Sequence, residues 1–260
     1  MKQQFARRLS QFILTTLLLG CVTKPAKEPT PVLVAAASDL TKVSQPLTQS
    51  FERASQMRVT FAFGASGQLE QQIRHGAPFD VFAPASRSYS QALQRDGFTD
   101  GADVPYGTGR LVAWSKTISI ASLQDLAGPS VRRIALANPR YAPFGTAAQQ
   151  ALEKAGLWRA IEPKVVYSES AAHALEMAVT GNVDAAFVSM SLVHGAGGSL
   201  LAVDQSLYAP IEQAAVMLKD SKNKPAARAF VEFLRSAEAQ RILQEYGLGH
   251  GEQPPQGSRK

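Results

Sequence analysis

Ser38, Ser66 and the triplet Phe144-Gly145-Thr146 each stand where an apolar, strand-like run gives way to a helical one. Ser38 follows 32–37 (VLVAAA), Ser66 follows 57–63 inside FGASGQL, and the triplet follows 131–137 and the loop Asn138-Pro139-Arg140-Tyr141-Ala142-Pro143. The first turn of a helix exposes backbone N–H groups without intrahelical partners and carries about half a positive charge. Several such starts aimed at one point would hold an oxyanion without lysine or arginine, with serine adding a hydroxyl donor and glycine letting the anion approach the backbone. A simpler reading makes each serine a helix N-cap whose oxygen accepts from its own helix. A third makes Ser38 or Ser66 a hydrolytic nucleophile, which needs a base within hydrogen-bond reach.

Those junctions must be positioned by a fold, and the order of the signals suggests which. Strand-like runs at 32–37, 57–63, 80–84, 109–114, 131–137, 164–167, 184–189, 200–203 and 210–218 alternate with helical patterns at 67–75, 87–95, 145–155, 171–180, 226–234 and 237–246. A further helix is carried by Leu40, Val43, Leu47 and Phe51, with Pro46 either kinking it or marking its first turn. Strands alternating with helices predict parallel sheets covered on both faces, with ligands beyond the carboxyl ends of the strands. No internal repeat is visible.

The ends of the chain read differently. Lys2, Arg7 and Arg8 precede a short apolar run ending in Leu18-Leu19-Gly20-Cys21, so residues 1–20 read as a signal peptide, too short to span a bilayer. The last four residues of that run resemble the lipobox of bacterial lipoproteins, which implies lipidation of Cys21 and a membrane anchor; Val22 in place of aspartate points to the outer membrane in a two-membrane cell. Residues 21–31 (CVTKPAKEPTP) read as an extended tether and 251–260 as a flexible tail. Cys21 is the only cysteine, which excludes an intrachain disulfide and any cysteine metal cluster.

The formal net charge is +6, of which Lys2, Arg7 and Arg8 supply three. The remainder is scattered, and no nucleic-acid footprint is present. His75, His173, His194 and His250 have no metal-ligand spacing, although His194 is the best available base for a serine nucleophile. Gly195-Ala196-Gly197-Gly198 lacks the Lys-Ser/Thr of a phosphate loop, and Gln68 breaks the G-x-S-x-G pattern around Ser66. Trp114 and Trp158 read as packing residues, and Glu70, Arg74, Arg87 and Arg95 as solvated helix faces. Asp39, beside Ser38, would repel an anion by like charge if it faced the site, and would then favour a protonated oxyanion such as hydrogen phosphate; turned away, it serves the first helical turn.

VAAASDL (34–40), FGASG (63–67), GAPFDVF (76–82), YGTGRLV (106–112) and ANP…APFG (137–145) occur in order. Together they resemble the periplasmic molybdate-binding proteins of ABC importers, over about residues 32 to 248. The resemblance implies an α/β fold of the type II periplasmic-binding-protein class, with two lobes, each a mostly parallel sheet flanked by helices, joined by two crossover strands. Lobe 1 would comprise 32–112 and 209–250, and lobe 2 would comprise 113–208. It implies ligand contacts from the hydroxyl and N–H of Ser38 and Ser66 and the backbone N–H of Phe144 and Ala171. Ser189 stands where some members place a tyrosine hydroxyl. The implied protein is a monomeric binding protein, not an enzyme, without cofactor or direct metal ligands; its partners are molybdate or tungstate, an ABC permease and the membrane holding its anchor. Another oxyanion, phosphate or sulfate, is the alternative ligand.

Overall fold

The computed structural model describes residues 30–249, so the expected signal peptide, Cys21, most of the expected tether, His250 and the expected tail lie outside the described residues. The strands are β1 (Val32–Ala37), β2 (Val59–Gly64), β3 (Val81–Ala83), β4 (Val104–Gly109), β5 (Leu111–Ser115), β6 (Ile134–Ala137), β7 (Val165–Ser168), β8 (Ala185–Ser189), β9 (Ser199–Ala202) and β10 (Ile211–Met217). The helices are α1 (Ser44–Ser55), α2 (Ser66–Arg74), α3 (Arg87–Arg95), α4 (Pro143–Lys154), α5 (Trp158–Ile161), α6 (Ala171–Val179), α7 (Met190–Val193), α8 (Lys224–Phe233) and α9 (Ala237–Glu245). A short 3-10 turn covers Ser38–Leu40, and Pro46 falls in the first turn of α1, where its missing N–H costs nothing.

Two five-stranded sheets form, in the orders β2-β1-β3-β10-β4 and β7-β6-β8-β5-β9. They share one plan. Parallel neighbours come from successive βα units, and one strand arriving from the other lobe is inserted antiparallel between its neighbours: β10 between β3 and β4, β5 between β8 and β9. Each sheet is therefore mixed, with four strands running one way and one the other. Inner strand β1 is almost wholly buried, as a parallel strand covered on both faces must be.

The first sheet is packed on one face by α1, α8 and α9, around Phe51, Phe230, Ile242 and Leu243. Phe51 meets Phe230 edge to face, with ring centroids 5.2 Å apart. Its other face carries Leu69, Ile73 and Leu93 from α2 and α3. The second sheet has its own core, including Trp114, Leu136, Leu152 and Phe187, with Trp158 packed on it. The lobes are thus separately cored.

Only Arg110 separates β4 from β5, so the first crossing is a nearly continuous strand. Leu111 and Val112, expected in lobe 1, pair instead with Ser189 and Val188 of the second sheet. The sheet changes at Arg110 because β5 pairs with β8 from its first residue and with β9 from its second. The return crossing occupies residues 203–210, which contain the expected 208/209 boundary.

Candidate functional site

The β1 and β2 ends lie side by side, with Ala37 opposite Gly64, and the β6 and β7 ends likewise, with Ala137 opposite Ser168. These are carboxyl ends of parallel strands, where an α/β sheet presents helix N-termini to a ligand. The two pairs of ends face one another across the lobes. A small cavity of ≈ 10 Å³ lies between them, lined by Ala37, Ser38, Asp39, Gly64, Ala65, Ser66, Ala85, Ala142, Pro143, Phe144 and Ala171. Ser38, Ser66, Phe144 and Ala171 therefore converge. Among the described residues, no histidine, lysine or arginine lines this cavity.

Neither serine caps its own helix. The cap positions are Ala37 and Ala65, each without a side-chain cap bond, and Ser66 is the first residue of α2. The two hydroxyls instead accept from more distant backbone: Ser66 Oγ from Ala85 N–H at 3.0 Å, Ser38 Oγ from Ala172 N–H at 3.3 Å across the lobes. A serine hydroxyl has one hydrogen to give. With the oxygen engaged as acceptor, that hydrogen is left for a ligand. True serine caps occur elsewhere, at Ser86, Ser170 and Ser236.

Phe144 and Ala171 occupy the first turns of α4 and α6, where backbone N–H groups have no intrahelical partner. Gly145 seats α4 against β6: a Cβ there would be driven into the carbonyl oxygen of Ala137. The lobes are drawn together. Gly67 N–H donates to Tyr141 O at 2.9 Å, Ser191 Oγ to Asp39 O at 2.7 Å, and Lys42 Nζ to His194 O at 3.3 Å.

Ser189 does not line the cavity. It is fully buried at the N-terminus of α7, where its hydroxyl accepts from Ser191 N–H and pairs with Ser191 Oγ at 2.8 Å. The short side chain is used up in shaping that turn, which in turn aims Ser191 at Asp39. His194 is exposed, its ring against Tyr246, and His173 lies on the outer side of α6. Neither reaches the cavity as a base. Glu70, expected on a solvated face, is buried to 9 % exposure and held by Arg74 at 2.8 Å.

Asp39 fits neither orientation expected of it. It lines the cavity and is only 1 % exposed, yet its Oδ2 turns to Gln213 and accepts from Nε2 at 2.6 Å. Burial pushes its carboxyl up to about 6 from 3.8, opposed by the Gln213 hydrogen bond. The carboxyl binds its proton more tightly folded than unfolded. Its contribution to stability is complete below pH 3.8 and is lost as pH rises through about 6. Denaturant unfolding of wild type and Asp39→Asn at pH 4 and 7.5 should therefore show the difference shifting by about 2 kcal/mol in favour of the variant at the higher pH. Gln213, fully buried on β10, was not singled out from sequence, although it is the one uncharged polar residue in IEQAAVM.

Two α/β lobes joined by a pair of crossing strands, with donors from separate strand ends meeting between them, define a two-lobed solute-binding protein. The chain belongs to the family of bacterial extracellular solute-binding proteins, which matches residues 32–249. The molybdate-binding protein of Rhodobacter capsulatus is 38% identical over 221 residues, 83% of this chain and 87% of that protein. That of Azotobacter vinelandii is 36% identical over 239 residues, 89% of this chain and 93% of that protein. The solved periplasmic molybdate-binding protein of Azotobacter vinelandii matches with a TM-score of 0.81 at 28% identity, covering 85% of this chain and 100% of that one. These relatives are solute-binding proteins, not enzymes, which removes the hydrolase alternative.

Proposed function

We propose that this chain captures molybdate or tungstate outside the cytoplasm and delivers it to the permease of an ABC importer, as a monomer anchored through lipidated Cys21. One observation carries the reading: two buried hydroxyls, with their oxygens already engaged as acceptors, and the first turns of α2, α4 and α6 meet at one cavity without a cation. Uncharged donors suit an oxyanion that only accepts hydrogen bonds, and burial of a dianion is tolerable only if its oxygens are well paired. The names of the Rhodobacter and Azotobacter relatives support the same ligand. Capture needs no cofactor and no direct metal ligand, since the ligand's own oxygens are the atoms recognised.

Size does the selecting, because molybdate and tungstate are near-equal and larger than sulfate. Calorimetric titration is expected to give nanomolar-to-micromolar binding of both, with little discrimination between them and much weaker binding of sulfate. Clear binding of sulfate or phosphate without heat from molybdate or tungstate would overturn the assignment. A hydrogen phosphate reading is favoured by one feature, the carboxyl of Asp39 at the cavity, and the same titration decides it.

A further inference from the structure

Among the described residues, three buried side-chain atoms lack a hydrogen-bond partner: Asp39 Oδ1, Gln213 Oε1 and Tyr106 Oη. Two of them belong to one pair. Asp39 and Gln213 are already joined through Oδ2 and Nε2, so the unpartnered Oδ1 and Oε1 are the remaining atoms of the same carboxyl and amide. Both are acceptors while Asp39 is ionised, and two acceptors cannot satisfy each other. A proton on Oδ1 turns that atom from an acceptor into a donor and leaves one orphaned acceptor fewer. An unpaired buried acceptor is costly, so the protonated carboxyl suits this site better.

The pair sits between the cavity and the contacts that join the lobes. Gln213 lies on β10, just after the return crossing, beside the irregularity at Gln213/Ala214 and opposite Gly107 of β4. Asp39 lines the cavity, and its carbonyl accepts from Ser191 of the other lobe. The surroundings supply no counter-charge. Tyr106 on β4 is the titratable neighbour that the Asp39 charge acts on, and burial together with that charge holds its phenol protonated. His173 and Glu176 on α6, Glu212 on β10 and His194 after α7 are exposed, and none shifts the Asp39 carboxyl. α7 itself and β2 carry no titratable residue.

We propose that Asp39 takes up one proton from solvent as the oxyanion is captured, so that the site binds anion and proton together. This rests on the reading of the cavity as an oxyanion trap. An O–H bond forms at Asp39 Oδ1 at the expense of a hydronium ion, and no bond in the oxyanion changes. The carboxyl is already raised to about 6 by burial, and a dianion beside it raises it further. Above pH 6 capture therefore consumes a proton, and affinity falls as pH rises.

The test is calorimetric titration of the full chain with sodium molybdate at pH 6 and pH 8, in buffers of different ionisation enthalpy. At pH 8 the heats should report close to one proton taken up per anion, and the affinity should be at least about tenfold lower than at pH 6. Asp39→Asn, whose amide resembles the neutral acid, should take up no proton and bind more tightly than wild type at pH 8. Buffer-independent heats and equal wild-type affinity at both pH values would overturn proton coupling while leaving the oxyanion site standing. Absence of binding by molybdate and tungstate at either pH would overturn the oxyanion reading and this inference with it. The wild-type proton count decides the matter even if the variant does not fold.

Discussion

Ser66→Leu is expected to abolish oxyanion binding in a protein that still folds. Ser66 is 1 % exposed, begins α2 and lines a cavity of ≈ 10 Å³. The next residue, Gly67, bonds directly to Tyr141 of the opposite lobe. A branched side chain at 66 fills the space meant for the anion and props the lobes apart at that contact. It also removes the hydroxyl donor and strands the N–H of Ala85. The expected loss is about a thousandfold or more in affinity, or roughly 4 kcal/mol. The fold itself should lose about 1–3 kcal/mol from the added bulk. Ser66→Ala separates the terms: it keeps the space and loses the donor, which should cost about 1.5–3 kcal/mol of binding for a bond to a charged ligand. Titration with molybdate, alongside denaturant unfolding, checks both; an unchanged affinity for Ser66→Leu would remove this cavity from consideration.

Gly145→Ala should damage stability and binding together. The new Cβ meets the carbonyl oxygen of Ala137 and, at 3.1 Å, the nitrogen of Pro139, both backbone atoms that cannot rotate aside. α4 has to move away from β6, taking the N–H of Phe144 with it. We expect a stability loss of about 3 kcal/mol, at the high end for overpacking. Molybdate affinity should fall at least about tenfold, equivalent to 1.4 kcal/mol. Gly197→Ala is the control: its Cβ would meet nothing within 4 Å, and the change should stay within about 0.5 kcal/mol. Paired unfolding and titration of the two variants test the contrast, which fails if they behave alike.

Sequence patterns carried most of the α/β alternation, because apolar runs such as 32–37 and 184–189 are long enough to stand out from their helices. β4 was hidden, since Val104–Gly109 contains Pro105, Gly107 and Gly109, residues that weaken a strand signal. Its place at the edge of the first sheet tolerates the proline. The antiparallel insertion of β5 and β10 could not be read locally, as strand direction follows from partners far along the chain. At the site, Ser38 and Ser66 were identifiable by position, but not the use of their oxygens: Ala85 lies 19 residues from Ser66, and Ala172 lies 134 from Ser38. A local rule therefore offered a helix cap as the simpler reading of each. Gln213 and Ser191 gave no signal tied to Asp39, because those contacts span 174 and 152 residues.

The placement of β10 has a consequence for the order in which the molecule is assembled. The second sheet draws all its strands from one unbroken stretch, from Leu111 to Ala202, whereas the first is missing an inner strand, and the helices that cover one face, until the chain has returned from its far half. The lobe begun first is therefore finished last. Ser38 and Ser66 are synthesised early, but they belong to the sheet that is completed only when residues 211–217 lie between β3 and β4, so the lobe carrying both hydroxyls needs nearly the whole chain to be finished.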